Sequence, residues 1–119
     1  MSFLTYSFFV SYSDKPLVWL HGFVKTPPFS QLARLEAGFL LRRLQIGERL
    51  GMSHSRPLPS IGRRCHELRI NDTEASWRII YRIDKDAIII IEVAKKKTAA
   101  LPVLLIETCR NRLKDYANA

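Results

Sequence analysis

Three apolar-rich segments separated by two short polar turns dominate the second half of the chain. Residues Cys65–Asn71 and Ser76–Ile83 alternate apolar and polar side chains, whereas 87–94 is apolar on both faces except at Glu92. Turns this short connect antiparallel neighbours, so the three segments predict a β-meander whose third strand lies in the interior of a sheet.

The first half of the chain and its last residues predict three further elements. Segment 17–24 is typical of a strand, and 29–46 places apolar side chains opposite a polar stripe at helical spacing. A last helix is predicted to start at Pro102. The two tryptophans, Trp19 and Trp77, are predicted to lie in the core.

The order of these elements predicts an α+β domain. The order is β-α-loop-β-β-β-α, which favours a small antiparallel sheet with both helices on one face and the other face partly free. At 119 residues the chain has the length of a single domain, which we assign to 16–119. Residues 1–15 show no clear period and are treated as an N-terminal extension without an assigned element.

Cysteine content and hydropathy exclude several classes of protein. Cys65 and Cys109 show no spacing typical of zinc ligands or of a disulfide framework, so we expect no metal, no cofactor and a cytoplasmic protein. The longest apolar run, 87–91, is far shorter than the roughly 20 residues that span a bilayer, so no membrane partner is expected.

The charge balance indicates an anionic partner. The chain has 19 lysines and arginines against 11 acidic residues, a net charge of +8. A domain this basic attracts polyanions, with nucleic acid as the first candidate. An acidic protein partner is equally compatible with charge alone.

The cations are concentrated around the predicted meander. They lie in the loop 54–64, in the first meander strand and directly after the third strand: His54, Arg56, Arg63, Arg64, Arg69, Lys95, Lys96 and Lys97. If the free face of the sheet carries Arg69, the loop before it and the lysines after it can converge on one concavity. Which of the three lysines faces that concavity is left open, because a bulge would exchange them.

A cationic pocket of this kind suits a phosphodiester. Arginine binds phosphate bidentately, lysine binds it as a point charge, and both stabilise the negative charge that builds up in the transition state. In RNA the 2′-hydroxyl can act as the nucleophile. The protein then needs a base, a cation clamp and an acid, and a lysine among other cations can be the base.

Long motifs in the chain resemble a known family. HELRI at 66–70, WRIIYRID at 77–84 and a strand that runs into a Lys-Lys-Thr turn resemble the RelE/ParE toxin superfamily. VWLHGFVKTPPFSQLARLEAGFLLRRLQ at 18–45 and HSRPLPSIG before CHELRI resemble, more narrowly, its phage-related HigB-like branch. The resemblance covers about 16–116.

The resemblance implies the toxin of a type II toxin–antitoxin system. Many members are mRNA interferases, endoribonucleases that cut messenger RNA in the ribosomal A site by 2′-hydroxyl attack without a metal. On this chain the implied catalytic residues are Arg69, Lys96 and Lys97. The expected RNA-binding residues are His54, Arg56, Arg63, Arg64 and Lys95. The implied partners are a helix-turn-helix antitoxin and ribosome-bound mRNA.

Two other functions remain compatible with the sequence. One is a ParE-type inhibitor of DNA gyrase, which shares the fold. The other is a decayed toxin that only binds its antitoxin, because Ala94, Ala99 and Leu101 stand where the branch usually has other residues, polar ones after the lysines.

Some site residues also have purely structural interpretations. Arg69 could pair with Glu67 or Glu92. We favour a structural role for Arg78, because Glu92 could neutralise either Arg78 or Arg82 on the same strand face. The Lys95–Lys97 run could be a solvated strand end that prevents edge aggregation.

Overall fold

The computed structural model describes residues 14–119. The proposed extension 1–15 therefore lies outside the described residues except for its last two positions. The elements in chain order are β1 Leu17–Trp19, α1 Gln31–Gln45, β2 Ser55–Pro57, β3 Cys65–Asn71, β4 Ser76–Ile83, β5 Ile88–Lys96 and α2 Val103–Ala117. The predicted α+β class is confirmed. Neither helix in 14–119 is long and apolar enough to span a membrane.

The strands form one mixed sheet in the order β1-β5-β4-β3-β2. The predicted meander is confirmed, because β3, β4 and β5 pair antiparallel in succession. Two details of the predicted sheet are wrong. Edge strand β1 runs parallel to β5, and the loop 54–64 contains the short strand β2, in which Arg56 pairs with Glu67.

The two helices pack on opposite faces of the sheet. Helix α1 covers Leu68, Ile79 and Ile90 on one face, which we call the α1 face. On the other, the α2 face, α2 covers Ile80 and Ile89. The prediction that both helices share one face is therefore wrong. The physical reason is that the central strand is apolar on both sides, and both sides need cover from water.

The start of α1 is tied to the β3–β4 turn. The Ser30 side chain accepts a hydrogen bond from the Ala33 N–H (3.1 Å), and the Ser30 N–H donates to the carboxylate of Asp72 (2.9 Å). That donated bond holds the pKa of the Asp72 carboxyl well below its usual range. Asp72 also accepts from the Trp77 indole (3.2 Å), whose ring stacks on Phe29 at 4.4 Å. The predicted core position of Trp77 is confirmed.

The predicted strand 17–24 ends early, at Trp19. This tryptophan is 40% exposed, so its predicted core position is wrong. The reason is its place on a three-residue strand at the sheet edge. Beyond it, Gly22 has a φ of 88°, and a Cβ added there would lie 2.9 Å from the Val93 Cβ. The backbone that follows β1 therefore lies so close to β5 that position 22 requires glycine.

Glycine substitutions test this contact. Gly22→Ala should lower the free energy of unfolding by about 1–3 kcal/mol, because the new methyl group meets Val93 in a left-handed backbone conformation. Gly38→Ala is the control, since Gly38 lies in α1 with open space around it. It should raise stability by about 1 kcal/mol through helix propensity. Urea unfolding of both variants measures this, and equal stabilities would contradict the contact.

Candidate cationic site

Strand β5 extends to Lys96, two residues beyond its predicted end. Lys95 and Lys96 are therefore in the strand and point to opposite faces. Lys96 pairs with Ser76 on the α2 face. Lys95 pairs with Trp77 on the α1 face, and its Nζ lies 5.9 Å from the centroid of the tryptophan ring. Lys97 follows the strand and is exposed.

A β-bulge at Ile91 decides which lysine reaches the α2 face. Tyr81 pairs with Ile90 and Ile80 pairs with Glu92, so Ile91 is the additional residue. Without it, simple alternation from Ile89 would place Lys95 on the α2 face. The bulge exchanges the two lysines, which is the possibility that the sequence left open.

Arg69 lies on the same α2 face as Lys96. In the sheet it pairs directly with Arg78, which pairs on its other side with Ala94, two residues before Lys96. The Arg69 side chain is half-buried, its Nη2 donates to the Met52 carbonyl, and its Nε is buried without a hydrogen-bond partner. Like charges directly opposite each other in a sheet repel, so this pair needs a compensating anion.

Glu67 supplies that anion. Its side chain is fully buried, with Oε2 3.1 Å from the Nε of Arg78 and Oε1 3.3 Å from the Nη2 of Arg56. Arg78 itself is only 2% exposed. The structural role expected of Arg78 is confirmed, but its acidic partner is Glu67 and not Glu92, which pairs with Arg112. Glu67 pairs with Arg56 and Arg78 rather than with Arg69. We call Arg56, Glu67 and Arg78 the Glu67 cluster.

The Glu67 cluster also fastens the turn that follows the lysines. Nη2 of Arg78 donates to the Thr98 carbonyl (2.7 Å), and Nη2 of Arg56 donates to the Ala99 carbonyl (3.4 Å). The Thr98 hydroxyl closes the turn by donating to the Ala100 carbonyl (2.7 Å). The backbone on both sides of Lys97 is thus held against the α2 face.

His54 lies beside Arg69 at this end of the sheet. Its carbonyl accepts the Arg69 N–H (3.0 Å), and its half-buried ring places Nδ1 3.1 Å from the Ser53 hydroxyl. The structure therefore brings together five of the predicted site residues: His54, Arg56, Arg69, Lys96 and Lys97. Four cations (Arg56, Arg69, Arg78 and Lys96) against the one carboxylate of Glu67 leave a surplus of three positive charges on this part of the α2 face, without His54 and Lys97.

Arg63 and Arg64 lie elsewhere. They come just before β3 begins, whereas Arg69 is near its end, a separation of roughly 17 Å for five extended residues. Arg64 Nε donates to the Ile83 carbonyl (3.0 Å) and its Nη2 lies 3.7 Å from Asp84. The single concavity expected from the sequence is thus two separate cationic regions. The RNA-binding role of these arginines stays a prediction.

The sequence did not reveal the importance of Glu67. Its alternation with Arg69 was visible, but the partners of a buried carboxylate depend on strand register. The other acid considered, Glu92, accepts from Nη1 of Arg112 (3.0 Å) and lies 3.6 Å from His21, away from Arg69.

The fold and this site define a small α+β domain with a cationic region at one end of its sheet. Residues 27–114 match the family model described as Phage derived protein Gp49-like (DUF891), and the chain belongs to this family. The family is part of the RelE/HigB-like toxins of toxin–antitoxin systems, which implies an antitoxin partner in general. No curated protein and no solved structure matches the chain.

Removal of the buried carboxylate tests the Glu67 cluster. Glu67→Ala leaves Arg78 buried without a counter-charge, so we expect a loss of about 3–5 kcal/mol in the free energy of unfolding. Glu67→Leu combined with Arg78→Met should recover most of that loss, because neither charge then remains buried. Denaturant unfolding gives the values. A cost for Glu67→Ala no larger than that of Glu74→Ala, at an exposed position, would contradict this account.

Proposed function

We propose that this chain is the toxin of a type II toxin–antitoxin pair, of the phage-related HigB-like branch, and that it is a ribosome-dependent mRNA interferase. Its partners are then messenger RNA in the ribosomal A site and a helix-turn-helix antitoxin. The observation that carries the proposal is the placement of Arg69 and Lys96 on one sheet face with a surplus of positive charge. Membership of a toxin family supports it.

Arg69 is the proposed phosphate ligand. Its Nε lacks an acceptor and its Nη2 holds only the carbonyl of Met52, which is an exposed residue. A phosphate oxygen that replaces this carbonyl would give the guanidinium a charged, bidentate partner. The fixed positive charge then stabilises the extra negative charge of the pentacovalent transition state.

Lys96 and Lys97 are the proposed proton-transfer groups. One lysine, as the free amine, takes the proton of the 2′-hydroxyl, and the 2′-oxygen forms a bond to the adjacent phosphorus. The bond from phosphorus to the 5′-oxygen of the next nucleotide breaks. The other lysine, protonated, gives its proton to that oxygen. The products are a 2′,3′-cyclic phosphate and a free 5′-hydroxyl.

Neighbouring lysines provide a matched test of this site. Arg69→Ala and Lys96→Ala should each lower mRNA cleavage by about 10²–10³-fold, the usual cost of one transition-state contact. Lys95→Ala is the control, because it removes the same charge one residue away on the α1 face. The RNA-binding role expected of Lys95 stays a prediction, and loss of one such contact on the α1 face should lower cleavage far less than loss of Arg69 or Lys96. Primer extension on a reporter message after induction, with circular dichroism to verify folding, measures all three.

The same experiment separates the alternatives. New 5′ ends inside translated codons, with 5′-hydroxyl termini and persistence in EDTA, support the interferase. An equal loss in Lys95→Ala, or full toxicity of folded Arg69→Ala, would contradict the assigned residues. Growth arrest with intact messages and cleaved DNA would indicate a gyrase inhibitor.

A second candidate function is antitoxin binding without cleavage. Ala94 is the β5 residue that pairs with Arg78, and its side chain has no polar atom. Ala99 and Leu101 likewise add no polar side chain to the turn after the lysines. The arginines of the Glu67 cluster are engaged by that turn. A folded wild-type chain that causes neither arrest nor cleavage, yet binds its antitoxin, would support this function in place of the first.

A further inference from the structure

A groove of about 390 Å³ opens at the opposite end of β3 from Arg69. Its walls are the turn before β3, the end of β4 and the C-terminal half of α2. Five of its nine lining residues are cations, and none is acidic: Arg63, Arg64, Arg82, Arg110 and Lys114. We call it the basic groove.

Most of the charge in the basic groove is uncompensated. Asp84 pairs with Arg82 at 2.6 Å and more loosely with Arg64 at 3.7 Å. The three remaining cations have no carboxylate partner within residues 14–119: Arg63, Arg110 and Lys114. Five cations against one carboxylate leave a surplus of four positive charges, the same as at the candidate site when Lys97 is counted there. The dipole of α2 accounts for Lys114 in its last turn, but not for the other two.

The backbone at the groove is strained. Arg64 has a φ of 62°, the left-handed conformation, and in the described part of the chain no other non-glycine residue has a positive φ. Glycine would adopt this conformation at no steric cost. The turn brings Arg63 and Arg64 to the groove in succession. Strain of this kind favours a role for the side chain that imposes it.

We propose that the basic groove binds the sugar-phosphate backbone of RNA, as a second contact about one strand length from Arg69. This inference rests on the proposed function and assigns the groove to the same class of substrate. Four of the five cations are arginines, whose planar guanidinium matches phosphate oxygens bidentately. No aromatic side chain lines the groove, so bases have nothing to stack on and the contact should be independent of sequence.

Salt dependence of RNA binding tests the groove separately from cleavage. The probe is a fluorescent 20-nucleotide 2′-O-methyl oligouridine, which lacks the 2′-hydroxyl and cannot be cut. Each phosphate contact adds about 0.7 to the slope of log K against log salt for single strands, so Arg110→Ala with Lys114→Ala should lower the slope by about 1.4. Both side chains are exposed on α2, and their loss should leave the melting temperature unchanged.

Two further variants control for net charge and for folding. Lys25→Ala with Arg34→Ala removes the same two charges from exposed positions away from the groove and should leave the slope unchanged. Arg64→Gly removes a groove cation but relieves the left-handed strain. It should lower the slope by about 0.7, and relief of the left-handed conformation should offset the loss of the Arg64 contacts with the Ile83 carbonyl and Asp84, so the melting temperature should change little.

The outcomes are distinct. A wild-type slope in the Arg110/Lys114 variant, or an equal fall of the slope in the Lys25/Arg34 control, would overturn the RNA-binding role proposed for the basic groove. An unchanged slope for RNA together with lost binding of polyglutamate would also overturn that role, and would indicate that the groove binds an acidic protein. Failure of the wild-type chain to cut messages would remove the interferase proposal, yet a lowered slope in the groove variants would still establish an RNA-backbone site.

Discussion

The buried carboxylate of Glu67 is the interaction on which the cationic site depends. Arg69 and Arg78 face each other on adjacent strands, and Arg78 is almost wholly buried. Two guanidinium groups in that position repel and are poorly hydrated, so the arrangement requires a counter-ion at the same depth. Glu67 provides it, and the two arginines that it pairs with, Arg78 and Arg56, also donate hydrogen bonds to the carbonyls of Thr98 and Ala99 in the turn after the lysines. The ion pairs that stabilise this end of the sheet therefore also hold the backbone that follows the lysines.

The position of the two helices explains why both cationic regions lie at the ends of β3. The middle of the α2 face is covered by α2 through Ile80, Ile89 and Cys109. A cationic side chain buried between α2 and the sheet would destabilise this apolar core. Arg69 and Arg64 therefore lie beyond its two ends. Separation of the two regions follows from the packing of the sheet, and the RNA strand that we propose as ligand is long enough to contact both.

Local sequence patterns were sufficient to predict much of the fold. They could not predict which distant segments pair or pack together. The alternation in β3 and β4 and the apolar stripe of α1 are periodic within a few residues, so these elements could be predicted. The face chosen by each helix depends on contacts across the sheet, although the two-sided apolar pattern of β5 was a signal that both faces are covered. The short strand β2 forms because Arg56 meets Glu67, eleven residues later, a pairing that no local window contains.

The identity of the lysine at the candidate site shows how one additional residue can decide which side chain lies on a given face of a sheet. Alternation from the apolar half of β5 points Lys95 to the face of Arg69, and the bulge at Ile91 reverses this in favour of Lys96. A bulge adds one residue and changes the parity of every side chain beyond it. Both Ile91 and Glu92 then meet the α2 side, the first in the core and the second with Arg112. Packing under α2 thus fixes the parity that brings Lys96, rather than Lys95, to the same face as Arg69, so the additional residue Ile91 serves both the core and the position of this lysine.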